Sequence, residues 1–433
     1  MDENRRDAGL VRAVGPAGLA ASIINVVVGA GIFAVPAALA ASLGSYAPIA
    51  FVVCAVVIGS VAICFAEGGS RVPTSGGVYG YIETAFGPLA GYVAGTMLWF
   101  SDLLACGGIA AALADVAASL LPPMTRAPAR VVVIVGAVGG IALVNIGGVA
   151  RGVRLINAAT VLKLIPLVIF IIAGAGAIHS ENFPATAQPG TADLGRALIL
   201  ALFAFTGMET ALCASGEVAQ PTRTIPHALA IAMLTVTLLY IGIQVIAQGV
   251  LGPALAQSTV PLADAMARIN PTLRLLMLAG TALSMLGWLG SDILGTPRVL
   301  FAFARDGLMP RVLGRVHPRS HAPHVAIACY ATLAIGLALT GTFVELAVLS
   351  TLGVAVPYIL GCAAAWQLAR RCVASAGAPL NFRWLGIAMV TAIASMLGLI
   401  ALASRAEILG LIAALIISAA LYRLLTWRAL ARQ

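Results

Sequence analysis

Residues 23–36 read IINVVVGAGIFAVP and disturb the pattern of a continuous membrane helix. Gly29 and Gly31 flank Ala30, so the helix has little side-chain cover here, and Pro36 lacks the backbone donor of an internal turn. The stretch predicts a break in the first span. Close helix packing is the alternative, because glycine and proline are common in membrane helices.

A second weak point lies at Phe203–Glu209, which reads FAFTGME and sets Gly207 beside a carboxylate. Interrupted helices at corresponding places in two halves are the best sequence pointer to a transporter site near the bilayer midplane. The two points correspond if five helices repeat, inverted, from the sixth span. Unwinding frees amides for a substrate carboxylate and carbonyls for its ammonium, so the paired breaks favour an amino acid transporter.

The composition is that of a membrane protein. Of 433 residues, 61% are hydrophobic and 9% charged, whereas a soluble domain has about 25% charged residues. The net charge of +9 does not indicate nucleic acid, because the arginines sit at span ends. Residues 1–15 are polar and precede a helix-length run, so no cleavable signal peptide is expected. The seven cysteines form no CxxC pair and are expected to be structural thiols.

Apolar runs long enough to cross a bilayer predict twelve transmembrane helices in one domain, 1–433. With both termini in the cytoplasm, 18 arginines lie inside and six outside, which agrees with the positive-inside rule. We therefore expect a multi-pass protein of a bacterial inner membrane with cytoplasmic termini. The predicted spans are 16–43, 47–68, 88–120, 130–148, 155–177, 196–217, 227–250, 273–303, 323–342, 345–369, 384–403 and 406–425.

Lys163 is the single lysine of the chain and lies in the apolar run Leu155–Ala177. At about 1.5 Å per residue it is roughly 12 Å from the start of its helix, close to the bilayer centre. An ammonium there costs about 2.5–3.5 kcal/mol and usually faces a cavity or a partner. Two roles stay open: proton release linked to transport, and a permanently charged structural post.

The chain resembles the amino acid–polyamine–organocation (APC) superfamily over nearly its whole length. The resemblance implies an all-α integral membrane protein with the LeuT-type 5+5 inverted repeat and discontinuous helices 1 and 6. The first repeat plus helix 6 would take 16–217, the second repeat 196–369, and two peripheral helices 384–425. The motifs that carry it, in family order and spacing, are Gly29–Phe33, Ala66–Glu67, Val72–Tyr81, Phe86–Pro88, Phe205–Glu209, Gly216–Val218, Thr224–Pro226 and Arg305–Pro310.

The resemblance also implies a site. Amides around the first break would meet the substrate carboxylate, and carbonyls at both breaks would meet its amino group. Phe203 stands where arginine/agmatine exchangers carry a gating tryptophan, and Lys163 matches the helix-5 lysine of sodium-independent members. Glu209 is interpreted as a gating or capping carboxyl. The substrate-binding residues are Asn25, Val28, Gly29, Ala30, Gly31, Ile32, Asp102, Phe203, Ala204, Phe205, Gly207 and Asp292, and the coupling or gating residues are Lys163, Phe203 and Glu209.

Asp102 and Asp292 fall inside the third and eighth spans and match side-chain pocket positions of the arginine/agmatine exchangers. We interpret them as partners of a cationic substrate: arginine, lysine, ornithine or a related amine. The alternatives are an internal pair between Lys163 and Asp292, and a proton relay. Glu67 ends the second span and is expected to pair with Arg71 at the cytoplasmic surface.

The sequence contains no GxSxG, HExxH or P-loop motif, so a transporter is expected rather than an enzyme, with no cofactor and no metal. The expected partners are an amino acid substrate, protons and the lipid bilayer, without nucleic acid; the oligomeric state stays open. One alternative is a proton-coupled importer of small neutral amino acids. An ion channel or a membrane receptor is the alternative from another class.

Overall fold

The computed structural model describes residues 14–73, 77–120, 127–147, 163–183, 190–212, 218–305, 307–374 and 378–430. Within these ranges the regular structure is helical, apart from one isolated bridge between Val14 and Val218. The α-helices are α1 (Pro16–Val27), α2 (Gly31–Leu43), α3 (Ala47–Arg71), α4 (Val78–Phe86), α5 (Pro88–Leu120), α6 (Ala127–Ile146), α7 (Lys163–Ala175), α8 (Thr191–Phe205), α9 (Met208–Leu212), α10 (Pro221–Leu251), α11 (Pro261–Ile269), α12 (Pro271–Gly295), α13 (Pro297–Arg305), α14 (His324–Thr340), α15 (Phe343–Arg370), α16 (Leu385–Ala401) and α17 (Arg405–Leu430).

Eight helical stretches of the described chain are long and apolar enough to cross a bilayer, judged by length and composition. The helices α1, α7, α14 and α16 are apolar but shorter. These eight stretches are Gly31–Arg71, Pro88–Leu120, Pro128–Ile146, Thr191–Leu212, Pro221–Gln257, Pro271–Arg305, Phe343–Arg370 and Arg405–Thr426.

The helix bounds agree with several predicted spans and correct others. The third predicted span coincides with α5, whereas 273–303 divides into α12 and α13 because Pro297 has no amide hydrogen to continue the helix. The short helices α4 and α11 lie in stretches between predicted spans. Parts of the predicted spans 130–148, 155–177 and 196–217 lie outside the described residues, as do parts of the motifs at Val72–Tyr81, Gly216–Val218 and Arg305–Pro310.

Two membrane segments are interrupted where the sequence predicts it. Residues 28–30 separate α1 from α2, and Val28 leaves the helical region with a ψ of 67°. Residues 206–207 separate α8 from α9, and Gly207 has a φ of +116°, which L side chains rarely adopt. Pro36 lies inside α2 without ending it.

Glycines let other groups approach the first break closely. A Cβ on Gly31 would lie 3.1 Å from the Cα of Ala204, so α2 begins directly against the end of α8. A Cβ on Gly29 would lie 2.6 Å from Cδ1 of Trp288, so the indole ring of α12 rests on the unwound backbone. The contact at Gly29 is too short for an added methyl group, and the one at Gly31 is tighter than most Cβ contacts, so packing favours glycine at both positions.

The expected pair of Glu67 and Arg71 is present, with 2.7 Å between its oxygen and nitrogen, but its surface location is wrong. Glu67 is 0% and Arg71 3% exposed, because the segment between α15 and α16 covers them. The amides of Asn381 and Phe382 donate to the Glu67 carboxylate at 3.2 and 2.9 Å. Arg71 also donates to the side chain of Asn381 and to the carbonyl of Val373. This segment is therefore bound to the end of α3.

Candidate functional site

An internal cavity of about 60 Å³ lies at the two helix interruptions, and we call it the central cavity. Three predicted residues, Val28, Ile32 and Phe205, are fully buried behind its wall and do not line it. The structure brings the other predicted residues together around it: Asn25, Gly29, Ala30, Gly31, Asp102, Lys163, Phe203, Ala204, Gly207, Glu209 and Asp292.

Tyr240 of α10 joins the two interruptions, and sequence reasoning missed it. Its hydroxyl lies 2.8 Å from the carbonyl oxygen of Val27 and 3.0 Å from that of Ala204, the ends of α1 and α8. One hydroxyl proton serves both carbonyls, which have lost the regular helical pattern. Tyr240 is 0% exposed and stacks against Phe205, so its ring position is fixed.

We expect Tyr240→Phe to lower the free energy of unfolding by about 0.5–1.5 kcal/mol, the net worth of a neutral hydrogen bond. The loss is modest because the amide of Gly29 still donates to Val27 at 2.7 Å. Thermal unfolding of the purified protein measures it, and Tyr46→Phe is the matched control because Tyr46 is 36% exposed. Equal midpoints for the two variants would contradict the role given to the Tyr240 hydroxyl.

Lys163 reaches the first interruption from α7. Its Nζ donates to the carbonyl of Asn25, and the residue is 2% exposed. Ser284 of α12 donates to the carbonyl of Gly29 at 3.3 Å, so α7 and α12 both hold this backbone. Lys163 and Asp292 form no ion pair with each other, although both line the central cavity. The structure therefore gives no support to the alternative of an internal pair between them.

The second interruption is stabilised by neighbouring side chains and by Tyr358 of α15. The amide of Gly207 donates to both oxygens of Glu209 at 3.1 Å, and the hydroxyl of Tyr358 donates to the same carboxylate at 2.6 Å. Thr206 donates to the carbonyl of Phe203 through its amide at 3.2 Å and its hydroxyl at 2.8 Å. Glu209 thus caps the unwound turn, which favours the capping interpretation, while the Phe203 carbonyl already has two donors.

Asp102 and Asp292 meet through a shared hydroxyl. Thr296, the residue between α12 and α13, lies 2.8 Å from Oδ1 of Asp292 and 3.2 Å from Oδ2 of Asp102. Tyr330 of α14 donates to Oδ2 of Asp292 at 2.6 Å. Tyr330 and Thr296 were not predicted. The sequence of an apolar run does not show which residue the hydroxyl of a tyrosine or threonine binds.

A larger cavity of about 390 Å³ lies beyond the aromatic residues Phe33 and Phe343, and we call it the outer cavity. Phe203 lines the central cavity and packs edge-on against Phe343 of the outer cavity, with 5.7 Å between ring centroids. These two rings therefore lie between the cavities, and Phe203 is the residue for which the resemblance implies a gating role. Asp115 and Arg196 add charged groups to the outer cavity.

A helical membrane protein with two broken helices around an internal polar cavity has the architecture of a transporter. The chain belongs to the amino acid permease family of the APC superfamily, whose family model matches residues 15–422. It is therefore an integral membrane transporter and not an enzyme.

Relatives with transporter names agree with this assignment. An uncharacterised transporter of Mycobacterium tuberculosis is 32% identical over 379 residues, covering 85% of this chain and 81% of the relative. A branched-chain amino acid permease of Bacillus subtilis is 27% identical over 367 residues, covering 78% and 76%. A methylthioribose transporter of Bacillus subtilis is 26% identical over 325 residues, covering 69% and 68%. Family membership disfavours the channel and receptor alternatives.

Proposed function

We propose that the chain is a sodium-independent secondary active transporter of amino acids that works by alternating access and prefers cationic amino acids or related amines. It would span a bacterial inner membrane twelve times, with both termini in the cytoplasm. The 5+5 inverted repeat would occupy 16–217 and 196–369 in one domain, 1–433, with two peripheral helices in 384–425. The paired interruptions of α1/α2 and α8/α9 and the arginine distribution support this arrangement.

The unwound backbone is the proposed binding site for the zwitterion. The amides of Ala30 and Gly31 lie at the start of α2, where the helix dipole favours a substrate carboxylate. The amide of Gly29 beside them donates to the carbonyl of Val27, so Gly29 would contribute close backbone approach rather than a free donor. The carbonyl oxygens at the ends of α1 and α8 lie at the negative ends of the helix dipoles. They are therefore suited to a substrate ammonium. The side chains of Val28, Ile32 and Phe205 would then support the backbone from behind, without direct contact.

Lys163 is the proposed substitute for a sodium ion. Its side-chain nitrogen donates to the Asn25 carbonyl and, when protonated, places a positive charge beside the first interruption. A buried amine that gains and loses its proton would link proton movement to transport, whereas a permanently charged amine would permit exchange without proton flow. We propose proton linkage, with Phe203 as the lid and Glu209 as the cap of the second break.

The charge around the central cavity carries the proposed cationic preference. Three carboxyl groups line this cavity, those of Asp102, Glu209 and Asp292. Lys163 contributes one amine. An additional substrate ammonium would reduce this excess of negative charge and form charge-assisted hydrogen bonds.

Uptake into proteoliposomes tests the proposed function. We expect saturable uptake of labelled lysine, arginine or ornithine that is equally fast in sodium and in choline buffer, with lysine competing about tenfold better than alanine or leucine. Conductance without saturation would contradict a carrier, and a requirement for sodium would contradict the role of Lys163. Preferred uptake of alanine would overturn the cationic preference alone.

Import of small neutral amino acids is the second candidate. The central cavity of about 60 Å³ is small for an extended cationic side chain, and one relative is named a branched-chain amino acid permease. In this case Asp102 and Asp292 would be internal partners joined by Thr296. The same uptake panel separates the two candidates, because a neutral importer favours alanine or leucine over lysine.

A further inference from the structure

We infer that the two aspartates of the central cavity have unequal roles: Asp102 determines the preference for a cationic substrate, and Asp292 is a positioning residue held by Tyr330 and Thr296. The inference rests on the cationic preference proposed above. Sequence and charge alone assign the binding of the cationic group to both aspartates, whereas this inference assigns it to Asp102.

Both oxygens of Asp292 already have protein donors. Tyr330 donates to Oδ2 at 2.6 Å and Thr296 to Oδ1 at 2.8 Å, and the residue is 8% exposed. A substrate ammonium would therefore find this carboxylate largely occupied.

Tyr330 is held in place from the far side. It is 0% exposed, and its ring packs edge-on against Trp99 of α5, with 6.1 Å between ring centroids. Since α14 thus fixes the hydroxyl that binds Asp292, this carboxylate cannot turn towards Lys163 without losing its shortest hydrogen bond. This explains why Lys163 and Asp292 share a cavity but do not pair.

Asp102 is the less satisfied of the two carboxylates. Thr296 has one hydroxyl proton, and its distances of 2.8 Å to Asp292 and 3.2 Å to Asp102 favour donation to Asp292. The Oδ1 atom of Asp102 receives no hydrogen bond from the residues that the structure describes. Asp102 lines the central cavity, where a substrate ammonium would supply this oxygen with a charged donor.

The other titratable groups around the pair are already engaged. Lys163 on α7 binds the Asn25 carbonyl, and Glu209 on α9 binds Gly207 and Tyr358. Of the remaining titratable neighbours, Tyr330 on α14 donates to Asp292, and Cys106 on α5 lies near it. Asp102 is therefore the carboxylate that faces the cavity with an available oxygen.

The first experiment compares Asp102→Asn with Asp292→Asn in proteoliposomes. The measured quantity is the ratio of KM for alanine to KM for lysine, which is high when the cation is preferred. We expect Asp102→Asn to lower this ratio about tenfold or more, and Asp292→Asn to lower it less than about threefold. Asp102→Ser serves as a second variant if the asparagine protein does not fold.

The second experiment tests whether Tyr330 holds Asp292. In the Asp102→Asn background, adding Tyr330→Phe frees one oxygen of Asp292, which can then bind the substrate ammonium. We expect the KM ratio to recover at least about threefold in this double variant. A tyrosine with only a structural role would leave the ratio unchanged or lower it. Thr332→Val is the control on α14, because Thr332 faces outwards.

The outcomes separate this inference from the proposed function. A wild-type ratio below one overturns both, because no cationic preference then exists. A high wild-type ratio that falls equally in Asp102→Asn and Asp292→Asn overturns only the unequal roles. No recovery in the double variant overturns the role of Tyr330.

Discussion

Lys163→Ala should slow uptake about 10- to 100-fold, because a hydrogen bond to a charged group is worth about 1.5–3 kcal/mol. The substitution removes the donor to the Asn25 carbonyl and the positive charge at a site with three carboxyl groups. Initial uptake rates in proteoliposomes measure the effect. Lys163→Gln keeps a polar donor without charge, so we expect it to fall between the wild type and the alanine variant.

A pH-sensitive dye inside the same vesicles tests the proton linkage. We expect wild-type uptake to change the internal pH in proportion to substrate, and Lys163→Gln to transport its residual substrate without this change. Wild-type uptake at constant internal pH would contradict proton linkage and favour the permanently charged ammonium. A Lys163→Ala protein as fast as the wild type would contradict any role of this residue in transport.

Gly207→Ala should also strongly weaken substrate binding. The φ of +116° costs an L side chain about 1–3 kcal/mol, and the new Cβ would lie 2.9 Å from Cγ1 of Val26. The strain would displace the amide that binds Glu209, and the clash would push α9 away from α1. We expect at least about tenfold weaker substrate binding, measured by ligand-induced thermal stabilisation of the purified protein.

Gly59→Ala is the matched control, because a Cβ at Gly59 in α3 meets nothing within 4 Å. It should leave binding unchanged. The double variant Val26→Ala, Gly207→Ala removes the clash but keeps the backbone strain, so it should recover only part of the binding. Wild-type binding by Gly207→Ala would contradict the requirement for glycine at this turn.

The helix interruptions could be predicted because their causes are local. Gly29, Gly31 and Gly207 lack a Cβ, and the consequences for a helix follow from neighbouring residues alone. That Lys163 faces a cavity or a partner was also predictable, because an isolated ammonium in an apolar run needs one. Which carbonyl it binds could not be read from the sequence.

The partners of the polar groups depend on distant parts of the chain. Tyr240 and Tyr330 lie in apolar runs, where a tyrosine that packs and one that donates a hydrogen bond look the same. Glu67 is buried by residues more than three hundred positions away, so its predicted surface location failed. Val28 lies in the break and Ile32 in the first turn of α2, but which side chains near the break face the cavity depends on how far the backbone turns.

The contact between α3 and Asn381–Phe382 limits how far the protein can be shortened. A version cut after Arg370, at the end of α15, would remove the backbone donors of Glu67 and one partner of Arg71. The remaining ion pair would face solvent or lipid without its cover. Truncation for crystallisation should therefore keep the chain through Phe382, even if α16 and α17 prove dispensable for transport.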